Sequence, residues 1–266
     1  MPVAPVKERL AALQGVLLDL DGTLYVSGEL LPGTPKLFEA LSRRQIPFVC
    51  LTNNSSARSS DYVAKLRRLG VQVEPEQVMT SGEAMIHHML KATPHRSAFV
   101  VGNEALRAEV RDHGIVLDED DPDCLLLGYD TEIDYHKLSV ATRLLFADKP
   151  YFASHPDLTC ISDQGLLPDI AAYIEGLAAV TGRRPMILGK PERPMVEAAA
   201  ARLGAPIEAL AMVGDQLDTD MTMAQNHGLL GVLVLSGETS RDKLAASPVD
   251  PSLVVSDVGE LAQLLV

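Results

Sequence analysis

Short apolar runs alternate with segments of helical period along the chain. Gly15-Val-Leu-Leu-Asp-Leu20 is apolar on both faces up to its acid, the pattern of a strand covered on both sides, and Asp21-Gly22 must turn. Helical spacing predicts a helix from Thr34 to Arg44, followed by a strand at Pro47 to Thr52. After Asn53-Asn54-Ser55 a helix runs from Arg58 to Leu69 and is stopped by Gly70. Strand, helix, strand, helix in that order predicts a parallel sheet with helices on both faces.

The same grammar returns late, with a helix near Pro194 to Leu203, a strand at Leu210 to Val213 and a helix after Asp218. A buried strand at Leu229 to Leu235 and a covering helix at Val258 to Leu264 complete it. Between the halves, roughly Pro94 to Pro185 has its own alternation. Strands are expected near Ala98 to Val101, Cys124 to Leu127 and Tyr151 to Ser154, and helices near Tyr135 to Ala147 and Ile170 to Val180. This segment reads as a second α/β domain inserted into the first.

Composition narrows the function. The 266 residues carry a net charge of −13, with 47% hydrophobic residues, enough to bury a core and opposed to a nucleic-acid-binding surface. No apolar run approaches the roughly 20 residues that span a bilayer, and Met1 to Gln14 has no apolar signal segment. Cys50, Cys124 and Cys160 are odd in number and widely spaced, which suggests neither a disulfide framework nor a zinc site. A cytoplasmic protein with no membrane and no nucleic-acid partner is expected.

Four strings carry chemistry. Asp19-Leu20-Asp21-Gly22-Thr23 stands at the carboxyl end of a buried strand, where ligands of open α/β sheets bind, and Gly22 lets the backbone turn its amides toward an anion. Thr52-Asn53-Asn54, at the next strand end, offers a hydroxyl and amides to phosphate oxygens, although Asn also starts turns and caps helices. Lys190 lies in Gly189-Lys190-Pro191-Glu192, just before a helix. Gly214-Asp215-Gln216-Leu217-Asp218-Thr219-Asp220 is an acid cluster at a strand end, suited to a hard cation such as Mg²⁺ or, alternatively, to a helix start.

In this order the strings resemble the four motifs of the haloacid dehalogenase (HAD) superfamily, over about Gly15 to Leu90 and Pro185 to Val266. The insertion between the second and third motifs resembles a type C2 cap. Thr52-Asn53-Asn54-Ser55, Thr80-Ser81-Gly82, Gly128-Tyr129-Asp130, His155-Pro156-Asp157 and Thr181-Gly182-Arg183 look like the NagD-like, type IIA branch. The resemblance implies a Rossmann-like parallel-sheet core at 1–93 and 186–266, and an α/β cap at 94–185. It implies a Mg²⁺-dependent phosphomonoester hydrolase acting on a small metabolite such as a sugar phosphate or nucleotide.

By the same resemblance Asp19 is the nucleophile and Asp21 the acid and base. Asp19, Asp21 (through its carbonyl) and Asp215 hold Mg²⁺. Gly22, Thr52, Asn53 and Lys190 bind phosphate, and Asp220 orients a metal-bound water or Lys190. Asp21 favours phosphate chemistry over dehalogenation, because a halide leaves without a proton. Asp130, His155 and Asp157 are candidates for substrate choice in the cap, and a homodimer through the cap is implied. Pro168-Asp169-Ile170-Ala171-Ala172 departs from the Gly-rich string of relatives. A silent phosphate-binding regulator on the same fold, or a phosphotransferase, are the alternative readings.

Overall fold

In the computed structural model of the chain, which describes residues 5–162 and 165–266, Gly15–Asp19 is a strand buried at every residue. Residues 1–4, part of the stretch read above for a signal segment, lie outside the described residues. The strand pairs in parallel with Leu210–Gly214 on one side (Val16 opposite Ala211, Leu18 opposite Val213) and with Phe48–Thr52 on the other (Asp19 opposite Leu51). These three are central in a six-stranded sheet ordered Leu253–Val255, Leu230–Val234, Leu210–Gly214, Gly15–Asp19, Phe48–Thr52, Val78–Thr80. Strands this apolar require cover on both faces. Because neighbours run the same way, Asp19, Thr52 and Asp215 reach one edge of the sheet.

The contacts divide the chain into two units. One holds the residues up to Thr52, Ser60–Met79 and Val196–Val266; the other holds Asn53–Ser59 and Thr80–Met195. The second is built on a five-stranded sheet ordered Met186–Ile187, Tyr151–Ala153, Cys124–Leu127, Ser97–Val101, Val116–Leu117, parallel throughout. Its side chains alternate as strand geometry demands. Phe99, Val101, Leu125 and Leu127 pack against Ala141, Leu144, Ile174 and Leu177, while Ala98, Val100, Cys124 and Leu126 pack against Met85, Met89, Leu106 and Val110.

That second core includes the helix Ser81–Ala92, and the edge strand Met186–Ile187 pairs with Tyr151–Ala153. The longer stretch of this contact unit therefore runs from Thr80 to Met195, beside Asn53–Ser59, where the sequence reading placed the insertion at 94–185. The short strands Val78–Thr80, Val116–Leu117 and Leu253–Val255 and the helix Glu104–Asp112 go beyond the sequence expectation. After Gly214 the chain makes one π-helical turn, Leu217–Met221, before the helix Thr222–His227, so the expected helix begins irregularly. No helix is long and apolar enough to cross a membrane among the described residues.

Candidate active site

In the first unit the adjacent strand ends gather three acids. Asp19, Asp215 and Asp220 are all buried, and each offers a carboxylate oxygen within 4.8 Å of the others'. Two unit charges at that spacing repel by about 3 kcal/mol at an effective dielectric near 20, and the trio is a group that could hold a cation. Two glycines make room for it. A Cβ on Gly22 would lie 2.4 Å from Asp215 Oδ2, and one on Gly237 would lie 2.0 Å from the same atom. Gly22 also has φ +85°, which the turn after Asp21 requires.

Backbone donors fix the acids. Glu238 N–H donates to Asp215 Oδ2 at 2.6 Å, and Gln216 N–H to Asp220 Oδ2 at 3.2 Å. The Thr23 hydroxyl lies 3.4 Å from Asp19 Oδ2, and the Ser236 hydroxyl donates to the Gly22 carbonyl at 2.8 Å. The turn itself is drawn together on the Leu20 carbonyl, which accepts from the N–H groups of Thr23, Leu24 and Tyr25.

Asp21 is placed differently. Its side chain is 67% exposed, against burial of the other acids, and is held from two sides. The Tyr25 hydroxyl donates to Asp21 Oδ2 at 3.0 Å, and Lys65 Nζ lies 3.8 Å from Oδ1 and 3.9 Å from the centre of the Tyr25 ring. Burial, reinforced by the charge of Asp21, pushes the Tyr25 phenol far above its usual range, so it remains a donor. Tyr62, one helical turn before Lys65 on Ser59–Arg68, shares a hydrogen bond with Thr52; burial pushes its phenol up to about 12. The tyrosines and Lys65 were not among the sequence candidates. The signal available was the i, i+3 spacing of Tyr62 and Lys65 on a helix that follows Thr52.

In the second unit Asn53 clamps the backbone of Lys190. Its Oδ1 accepts from Lys190 N–H at 2.9 Å, and its Nδ2 donates to the Lys190 carbonyl at 3.1 Å. The same Nδ2 reaches both oxygens of Asp157, at 3.2 and 3.3 Å. Gly189 admits the approach, since a Cβ there would lie 2.2 Å from the Ser154 carbonyl. Lys190 is buried, and burial pushes the Asp157 carboxyl up while His155, Asn53 and Lys190 pull it down.

His155 is buried in a polar chain. Its Nε2 meets Asp169 Oδ1 at 3.0 Å, its Nδ1 meets Ser154 Oγ at 2.8 Å, and Ser154 Oγ meets Ser55 Oγ at 3.0 Å. His155, Asp157 and Asp169 form a second group of close ligand atoms, but both imidazole nitrogens already have protein partners. Asp130 is wholly buried and ion-paired with Lys137 at 2.8 Å. The structure thus brings Asp19, Asp215 and Asp220 together in one unit, and Asn53, Asp157 and Lys190 in the other.

Known proteins agree with this geometry. The family model described as haloacid dehalogenase-like hydrolase matches residues 16–116, and a second, HAD-hydrolase-like, matches residues 187–261. Dihydroxyacetone phosphatase of Corynebacterium glutamicum is 30% identical over 92% of this chain and 90% of its own. The 4-nitrophenylphosphatase of Thermotoga maritima superposes with a TM-score of 0.92 at 39% identity, covering 96% of this chain and 98% of that one. NagD from E. coli K-12 superposes with a TM-score of 0.88 at 28% identity, over 93% and 98%. With the motif acids at the edge of a parallel sheet and phosphatases matched along nearly the whole length, the chain belongs to the haloacid dehalogenase-like hydrolases, in their NagD-like branch, and is a phosphoric monoester hydrolase.

Proposed function

We propose that this phosphatase hydrolyses small phosphate monoesters, such as a sugar phosphate or nucleotide, through a phosphorylated Asp19 and with Mg²⁺ as its cation. The observation that carries this reading is the trio of buried carboxylates at adjacent strand ends. Its donor set, all carboxylate oxygen, fits a hard divalent ion. Asp19, Asp215 and the carbonyl of Asp21 would hold the ion, with Asp220 behind them. Bound there, it would offset the phosphate charge that otherwise repels a carboxylate nucleophile.

The protein's own residues then divide the work. Asp19 forms its bond to phosphorus as the ester oxygen leaves, and Asp21 gives that oxygen its proton. Asp21 next takes a proton from the water that attacks phosphorus and frees Asp19. Thr52 and the amides near Gly22 and Asn53 supply donors to phosphate oxygens, the Gly22 N–H itself being held by the Tyr25 carbonyl at 2.8 Å, and Lys190 supplies positive charge. The side chain of Asn53 is committed to the Lys190 backbone, which supports a positioning role beside its amide. Burial of Asp130 and His155 supports roles in holding the cap's loops, leaving Asp157 the cap candidate with partial exposure.

We infer a catalytic core at 1–93 and 186–266 and a cap at 94–185, in a cytoplasmic enzyme that pairs through its cap. The similarity to a dihydroxyacetone phosphatase supports the sugar-phosphate class. Phosphate release from sugar phosphates, nucleotides and glycerol phosphate in Mg²⁺ tests the reading. Asp19→Asn is expected to lower turnover by at least about 10⁴-fold, and chelation to abolish it reversibly. Turnover by Asp19→Asn at the wild-type rate would overturn the nucleophile; full activity in chelator would overturn the cation.

A further inference from the structure

Asp21 has to be in one particular orientation when the ester oxygen departs, yet its side chain is 67% exposed on a turn, where an aspartate ordinarily samples several rotamers. Here each carboxylate oxygen has its own anchor. Tyr25, completely buried, donates to Oδ2, and Lys65 stands 3.8 Å from Oδ1 while resting on the face of the Tyr25 ring. The ring carries the lysine and the lysine faces the acid, so each of the three bears on the other two. An ion pair this exposed and this long adds little to stability. Its consequence belongs to the reaction.

We propose that Tyr25 and Lys65 are positioning residues that select the orientation of Asp21 for proton transfer to the leaving group. The proposal rests on Asp21 being the general acid. In the step concerned the ester P–O bond breaks, the Asp19–phosphorus bond forms, and the Asp21 proton passes to the departing alkoxide. An alkoxide needs that proton, whereas 4-nitrophenolate leaves without it. The pair therefore sets the enzyme's reach toward unactivated esters and contributes little to its rate on activated ones.

The test compares kcat/KM for dihydroxyacetone phosphate with kcat/KM for 4-nitrophenyl phosphate, a ratio that covers binding and phosphorylation of Asp19 and leaves out the later hydrolysis. Tyr25→Phe keeps the ring and its packing, and Lys65→Met keeps the stem. Each is expected to lower the ratio by about tenfold, a part of what general acid catalysis supplies. Lys65→Arg should restore most of it. Parallel losses on both esters, or an unchanged ratio, would overturn the proposal. Asp21→Asn separates the two levels. If it leaves the ratio intact, the reading of Asp21 as acid fails and the proposal with it. If it collapses the ratio while Tyr25→Phe and Lys65→Met do not, the proposal alone fails.

Discussion

The acid cluster of the first unit and the polar network of the second solve opposite problems with similar residues. Around Asp19, Asp215 and Asp220 like charges are drawn within 4.8 Å, and glycines at 22 and 237 keep side chains out of the space beside Asp215. Around Lys190 opposite and complementary groups interlock: Asn53 bonds the lysine's N–H and carbonyl and reaches Asp157, and His155 is bracketed by Ser154 and Asp169. One region gathers like charges in a group that could hold a cation; the other pairs unlike and complementary groups. Crowded like charges and interlocked complementary groups place different demands on the backbone around them.

The contrast breaks most visibly at Gly237. Replacing it with Ala puts a methyl 2.0 Å from Asp215 Oδ2, and because Asp215 is a short, buried side chain it must shift. Activity titrated with Mg²⁺ should show the apparent affinity fall by about 10- to 100-fold, with the fold intact by circular dichroism. Unchanged affinity would mean that Asp215 is not a ligand. In the satisfied region the matching change is Asn53→Ala, which leaves the Lys190 N–H without its acceptor and Asp157 without its donor. Denaturant unfolding should show a loss of about 3 kcal/mol, with turnover falling as Lys190 loosens. A loss below a few tenths would show that solvent replaces the clamp.

Much of this was legible in the sequence because it follows from strand ends. A buried strand followed at once by Asp21-Gly22, and another running into Gly214-Asp215, placed Asp19 and the acid cluster at strand ends from hydrophobic pattern, while the roles of these acids came from the family resemblance. The limits were equally physical. Val116–Leu117 and Met186–Ile187 are two-residue strands, too short for a period to register, and Met186–Ile187 is what extends the second sheet past the expected boundary. Tyr25 and Lys65 lie 40 residues apart and meet only through the helix Ser59–Arg68. The commitment of both imidazole nitrogens of His155 likewise depends on Asp169, fourteen residues on and across a hairpin. Pairings of this kind leave no spacing rule.

The smallest effect concerns Asp157, where the two tendencies meet in one residue. Burial is the largest influence and raises its carboxyl pKa, while His155, Asn53 and Lys190 only partly oppose it. A carboxyl whose folded value is raised favours the folded state most when protonated. Its contribution is therefore complete below about pH 4, the ordinary Asp value, and is lost as pH rises through the raised folded value. Asp157→Asn removes that titration while its amide oxygen can still accept from Asn53. The melting temperature of the variant should gain on wild type as pH rises above about 4, and the difference should level off once pH has passed the raised folded value. A difference that runs the other way would mean that Asn53, His155 and Lys190 outweigh burial, and that Asp157 is held as a charged partner of the lysine clamp. A difference flat with pH would place Asp157 in water, and the second region would then be less closed than its hydrogen bonds suggest.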